Sequence, residues 1–316
     1  MQLSELRLDI RKALSEPPPL LDHVLPGLLA GTVGALIGPG GVGKTMLLTQ
    51  LACDIAAGAP VGGGLLTQER LAPEGAPVVL LLAEESQIIM RHRLQAAIQS
   101  IRRMDRFRDA SACDALIARL SDNLRLYPLA GGGRIICVSH GELSKGGVAT
   151  IASVCEGARM VIVDPLRRFH AGEENDSSHM TAVVGAFEKI ARETGAAVLL
   201  SHHANRSSVL TGNGELPSAS RGSSALTDGV RWQANLSVVT EQTASRYRIA
   251  ESERQLVVRL DFAKANYIAA PAPSILQKDP ASGALSLWRR TSTAARVRSK
   301  RAAAAQRDTP MTEGGV

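Results

Sequence analysis

Gly38-Pro39-Gly40-Gly41-Val42-Gly43-Lys44-Thr45 fits the pattern G-x-x-x-x-G-K-[ST] at every fixed position. Upstream, Thr32 to Ile37 reads TVGALI, an apolar run of strand length. Downstream, Met46 to Ala57 reads MLLTQLACDIAA, a helix pattern without proline or glycine. A glycine turn between strand and helix brings backbone N–H groups and the helix amino terminus to one point, which is what a phosphate requires. Gly38, Pro39, Gly40, Gly41, Val42, Gly43, Lys44, Thr45 and Met46 are therefore the nucleotide-binding candidates. In this reading Lys44 adds a point charge at the β- and γ-phosphates, and the Thr45 hydroxyl holds Mg²⁺.

Working outward, Val78 to Leu82 reads VVLLL, a strand apolar on both faces, and it delivers Glu84 and Glu85 to its carboxyl end. That rim is where doubly wound sheets bind ligands. Catalysis competes there with a helix-capping role, although Ser86 already supplies a cap. Met160-Val161-Ile162-Val163-Asp164 repeats the pattern, so Asp164 is the candidate for orienting the metal's water shell. Ala197 to Leu200 is a further buried strand, ending in Ser201-His202-His203. Two adjacent histidines without other ligands at metal spacing suit a phosphate-sensing switch better than a metal site, with His202 the first choice and His203 the second.

Beyond these strands, Leu124 to Tyr127, Ile135 to Val138, Leu236 to Val239 and Leu256 to Phe262 read as strand pieces. Residues 86–120 read as two charged helices, with further helices over 148–156 and 179–193. Residues 3–14 place Leu3, Leu6, Ile10 and Leu14 on one helical stripe, and Pro17-Pro18-Pro19 then stops the helix. Such a detached helix packs either on a neighbouring subunit or back on its own domain. Residues 20–29 read as an apolar lead-in to the first strand. The expected domain plan is an arm over 1–19, one ATPase-type core over 20–288 and a basic tail over 289–316.

Apolar residues make up 45% of the 316 and aromatics only 3%, so the core must be aliphatic, as in a mostly parallel sheet with helices on both faces. The four cysteines are far apart in sequence and suggest neither a zinc site nor a disulfide framework, which favours a cytoplasmic location. No uncharged run reads as membrane-spanning. Of the formal charge of +6, the residues after Trp288 carry seven cations against two carboxylates. That tail serves either non-specific attraction to nucleic acid or solubility alone.

The phrases LLDHVLP, AGTVGALIGPGGVGKT, LLAEES, VIVDPLRRFH, LSHHA, SRGSSAL and KANY, spread from about Leu20 to Tyr267, together resemble the RecA-type ATPase core. More narrowly, they resemble the ring-forming RepA replicative helicases of broad-host-range plasmids. The resemblance implies an ATP- and Mg²⁺-dependent homohexamer that hydrolyses ATP between subunits and draws single-stranded DNA through its channel. A plasmid replication initiator or primase would be its partner. It also implies Glu84 as the residue that polarises the attacking water, Asp164 as metal holder, His202 as phosphate switch, and Arg221 or Lys264 as the finger reaching into the neighbour's site. The DNA loops would carry Arg167, Arg168 and His170 on one side and Arg206 on the other. Related DnaB-type rings have a basic residue two positions after such a lysine, where this chain has Asn266. With only about forty residues before the phosphate loop, a stand-alone motor domain is expected. The same core also serves proteins that use ATP only to switch a complex on DNA.

Overall fold

Four strands that are apolar on both faces form the centre of a nine-stranded sheet. The computed structural model describes residues 7–67, 71–102, 110–204 and 224–289. The chain opens with helix α1 (Ile10–Ser15), then a hairpin of β1 (His23–Leu25) and β2 (Leu28–Leu29), before β3 (Val33–Gly38) leads into α2 (Lys44–Ala57). Next come β4 (Val78–Leu82), α3 (Gln87–Arg102), α4 (Ala110–Asn123) and β5 (Leu124–Pro128). A small hairpin follows, β6 (Val138–Ser139) and β7 (Glu142–Leu143), and then α5 (Lys145–Val154) and β8 (Met160–Asp164). After a 3-10 turn (Leu166–Phe169), β9 (His170–Ala171) joins β6 and β7 in a three-stranded sheet, and α6 (Ser177–Thr194) returns the chain to β10 (Ala197–His203). The last part comprises α7 (Ala225–Gly229), β11 (Trp232–Val238), α8 (Glu241–Tyr247), α9 (Glu251–Arg254), β12 (Val257–Ala265), β13 (Ser274–Lys278) and β14 (Leu285–Leu287).

The sheet order is β14-β13-β12-β11-β3-β10-β8-β4-β5. From β11 to β5 all pairings are parallel; β12, β13 and β14 add an antiparallel extension. Alternate residues of each central strand face opposite layers. Leu36, Leu80, Ile162 and Leu199 pack with α2 and its neighbours, while Ile37, Leu81, Val163 and Leu200 pack with α5 and α6. Both faces are covered, as the aliphatic composition requires, and the fold is a single RecA-like α/β domain.

Several expectations need correction. Residues 23–29 form a hairpin, closed by Trp232, whose Nε1 donates to the Pro26 carbonyl at 2.9 Å. The strand expected over Ile135–Val138 shrinks to Val138–Ser139 and lies outside the main sheet. Strand β10 continues three residues beyond Leu200, so Ser201 and His202 are interior strand residues. The hairpin of β13 and β14 was not expected at all. For the arm, the helix begins at Ile10 and all its residues are exposed; Leu3 and Leu6 lie outside the described residues.

Hairpin β13–β14 is held by one side chain of α2. Gln50, 2% exposed, donates through Nε2 to the carbonyls of Gly62 (2.7 Å) and Leu285 (2.8 Å) and accepts from the Leu285 N–H (2.8 Å). A leucine there would fill similar volume but leave two carbonyls and one N–H unpaired in the interior. Gln50→Leu is therefore expected to lower unfolding free energy by about 3 kcal/mol in urea titration, since each orphaned group costs roughly 1–3 kcal/mol. A loss below about 0.5 kcal/mol would show that the hairpin is held elsewhere.

Candidate active site

Strand β3 ends at Gly38 in very close contact with β11. A Cβ built there would stand 2.5 Å from the Leu236 carbonyl oxygen, so only glycine fits. The loop then turns through Gly41 (φ 72°) and Gly43 (φ 112°), left-handed conformations that side chains oppose. Val42 and Met46 are buried under the loop and the first turn of α2, which fixes the helix amino terminus against the sheet. The loop's backbone N–H groups and the helix start share one cleft of about 380 Å³. Glu84, Asp164, His203 and Lys278 also line it.

Lys44 is 7% exposed and its Nζ donates to the carbonyls of Gly38 (2.7 Å) and Pro39 (3.0 Å). Burial lowers its pKa, while the charges of Asp164 and Glu84 oppose that shift. The Thr45 hydroxyl donates to Asp164 Oδ2 at 2.6 Å, joining the start of α2 to the end of β8. These are two hard oxygen donors beside a phosphate-binding loop, the donor chemistry that Mg²⁺ shares with phosphate oxygens and water. Among the described residues no group of three or more His, Cys, Asp or Glu side chains is placed to hold a metal ion. The residues thus fit Mg²⁺ arriving with a nucleotide.

The two glutamates after β4 have different surroundings. Glu85 pairs with Arg93 of α3 at 2.6 Å and is mostly buried. Glu84 is exposed, and its Oε1 accepts from Arg168 Nε at 2.8 Å. The histidines separate in the same way. His202 is fully buried on the α5–α6 side of the sheet, close enough to His170 to influence it electrostatically, and it does not line the cleft. His203, one residue on and on the opposite face, does.

Of the candidate DNA-loop residues, Arg168 lies on the 3-10 turn after Asp164, half exposed. Arg167 donates to the His170 carbonyl at 3.3 Å and stands 3.8 Å from Glu174. His170 itself is buried, not on the loop surface. Lys264 donates to the carbonyls of Thr227 (2.8 Å) and Asp228 (3.3 Å) at the end of α7, outside its own chain's cleft. Arg206 and Arg221 lie outside the described residues. A residue missed in the sequence is Lys278 of β13, whose Nζ donates to the Gly41 carbonyl at 3.1 Å and whose pKa burial lowers. No local motif marks it, because it meets the loop only through the hairpin.

Behind the site, the Gly141 N–H donates to His179 Nδ1 (3.0 Å), so a neutral His179 carries its proton on Nε2 and donates to His170 Nδ1 (3.0 Å). Burial, and then the charges of Arg167, His179, His202 and Arg134, push the His170 pKa down to about 3.

The chain matches the model of a family described as an AAA domain over residues 2–209. Among solved structures it is similar to the ATPase domain of G40P, with a TM-score of 0.52 and 16% identity over 82% of this chain and 85% of that one. It is also similar to a DnaB-like replicative helicase, solved with attention to its interactions with primase, with a TM-score of 0.54 and 17% identity over 82% of this chain. The match spans 58% of that helicase. A RadB recombinase gives a TM-score of 0.49 at 11% identity, over 83% and 93% of the two chains. At 16% and 17% identity the likeness to the first two is one of fold. Among the described residues no helix is long and apolar enough to cross a membrane.

Burial of His170 makes the stability of the fold depend on pH. Between pH 6.5 and about 3 the unfolded chain binds a proton at this position that the folded chain refuses. Its contribution to stability is therefore complete above pH 6.5 and is lost as pH falls towards 3. Going from pH 7 to pH 5 should cost the wild type up to about 2 kcal/mol more than it costs His170→Gln, measured by urea midpoints at both pH values. Equal losses would show that His170 titrates normally in the fold.

Proposed function

The chain belongs to the AAA domain family, its match running over residues 2–209, and from that premise we propose that it is an ATP-hydrolysing DNA motor of the RepA plasmid-helicase type. The observation that supports this most is the meeting of Lys44, Thr45, Asp164 and Glu84 in one cleft, with the exposed Arg168 tied to Glu84. In this reading the loop N–H groups and Lys44 hold the β- and γ-phosphates. Thr45 and Asp164 hold Mg²⁺, which when bound neutralises phosphate charge. Glu84 takes the proton of the attacking water as its oxygen bonds to the γ-phosphorus and the bond to the ADP oxygen breaks.

His203, facing the cleft, is better placed than the buried His202 to contact the terminal phosphate. The subunits form a ring, with the exposed apolar side chains of Ile10 (63%) and Leu14 (84%) docking on a neighbour. Arg221 or Lys264 completes the neighbour's site, and single-stranded DNA runs along the loop bearing Arg167 and Arg168, with Arg206 on the second loop. Primase or a plasmid replication initiator is the partner class such a motor meets.

Glu84→Gln should bind ATP normally and hydrolyse it about 10²-fold more slowly, the scale of a lost general base. Glu85→Gln, which loses the pair with Arg93, should lose much less. Single-turnover hydrolysis in the two variants decides: equal rates, or a larger loss at Glu85, would move the role to the second carboxylate.

A further inference from the structure

The residue assigned to activate water is not free in this fold. Glu84 Oε1 accepts from Arg168 Nε at 2.8 Å, and both side chains are about half exposed, at 47% and 51%. Their positions in the chain give the pair its meaning. Glu84 follows β4 and lines the nucleotide cleft; Arg168 sits on the 3-10 turn that follows Asp164 and Pro165 and is not part of that cleft's lining. Arg168 also lines a separate cavity of about 340 Å³, together with the glycines 131–133, Arg134 and Phe169.

That cavity suits a polyanion. The stretch Gly131-Gly132-Gly133 presents backbone without side chains, so a sugar–phosphate chain can approach closely. Arg134 and Arg168 supply cations at its wall, and Arg134 is steadied by donating to the His170 carbonyl at 3.1 Å. An ion pair between exposed side chains is weak, so a phosphate reaching Arg168 can displace a carboxylate from it.

We propose that the Arg168–Glu84 ion pair restrains hydrolysis, and that a single-stranded nucleic-acid phosphate entering the cavity by the glycines 131–133 takes Arg168 and releases Glu84 for catalysis. This rests on the assignment of Glu84 to the attacking water. Arg168 is a positioning residue: paired, it both turns the carboxylate from the water and stabilises its charge against taking a proton. Because the two equilibria share Arg168, the effect is reciprocal, and weakening the pair from the glutamate side strengthens nucleic-acid binding.

Two measurements on the full-length protein test this. In the first, steady-state ATP hydrolysis is compared with and without saturating oligo(dT). Arg168→Ala should raise the rate without DNA by up to about five-fold, the limit an exposed pair can impose, and saturating DNA should add nothing further. A rate without DNA that is unchanged or lower in Arg168→Ala, or stimulation that survives the substitution, overturns the proposal. In the second, oligo(dT) affinity is read by fluorescence anisotropy without nucleotide. Glu84→Gln should bind more tightly than Glu85→Gln, which removes the same charge one residue away, and Arg168→Ala should abolish that difference. Equal affinities of the two glutamine variants overturn it. Should Glu84→Gln hydrolyse ATP like the wild type, the assignment of Glu84 itself has failed; should it be inactive while Arg168→Ala behaves like the wild type, only the restraint has.

Discussion

The hydrogen bond from Thr45 to Asp164, 2.6 Å long, ties together the two elements on which the site depends. Thr45 stands in the first turn of α2, Asp164 on the last residue of β8, and β10 lies between β3 and β8 in the sheet. For the two side chains to meet across that strand, the sheet must bring its carboxyl ends level and the loop must lie back over them. The close approach of Gly38 to the Leu236 carbonyl does this from the other side, by seating β3 against β11. Shifting either contact separates the glycine loop and Thr45 from the Asp164 carboxylate.

A second layer of contacts holds the loop from outside. Gln50 fixes the β13–β14 hairpin to α2, and Lys278 of that hairpin reaches back to the Gly41 carbonyl. The last strands of the sheet therefore brace the first loop of the site. On the opposite side, Arg93 and Arg168 each take one of the two glutamates after β4, so the same short turn faces α3 through Glu85 and the 3-10 turn through Glu84.

What could be read from the sequence follows from these physical differences. Strands β3, β4, β8 and β10 are buried on both faces, so their unbroken apolar runs showed both their place and the residues at their ends. Three loop glycines were legible for physical reasons: Gly41 and Gly43 take left-handed backbone that side chains oppose, and Gly38 touches the Leu236 carbonyl too closely for a Cβ. Strand β13, SILQK, lies at the half-exposed edge region and mixes Ser, Gln and Lys with two apolar residues, so no run marks it. Its contact with the loop spans 237 positions, which no local pattern records. Which of the two histidines lines the cleft was hidden for another reason. A period of two states which faces alternate, but not how far the strand continues, and three further strand residues carried His202 into the interior and left His203 at the cleft.

The proposed ATP hydrolysis needs Thr45 and Asp164 to serve a nucleotide-bound cation jointly. ATP binding by calorimetry, with Mg²⁺ and with a chelator, examines this directly in the wild type, Thr45→Val and Asp164→Asn. The account predicts that Mg²⁺ tightens ATP binding in the wild type and that either substitution removes most of that tightening while leaving the cation-free affinity near wild type. Tightening that persists undiminished in both variants would contradict it.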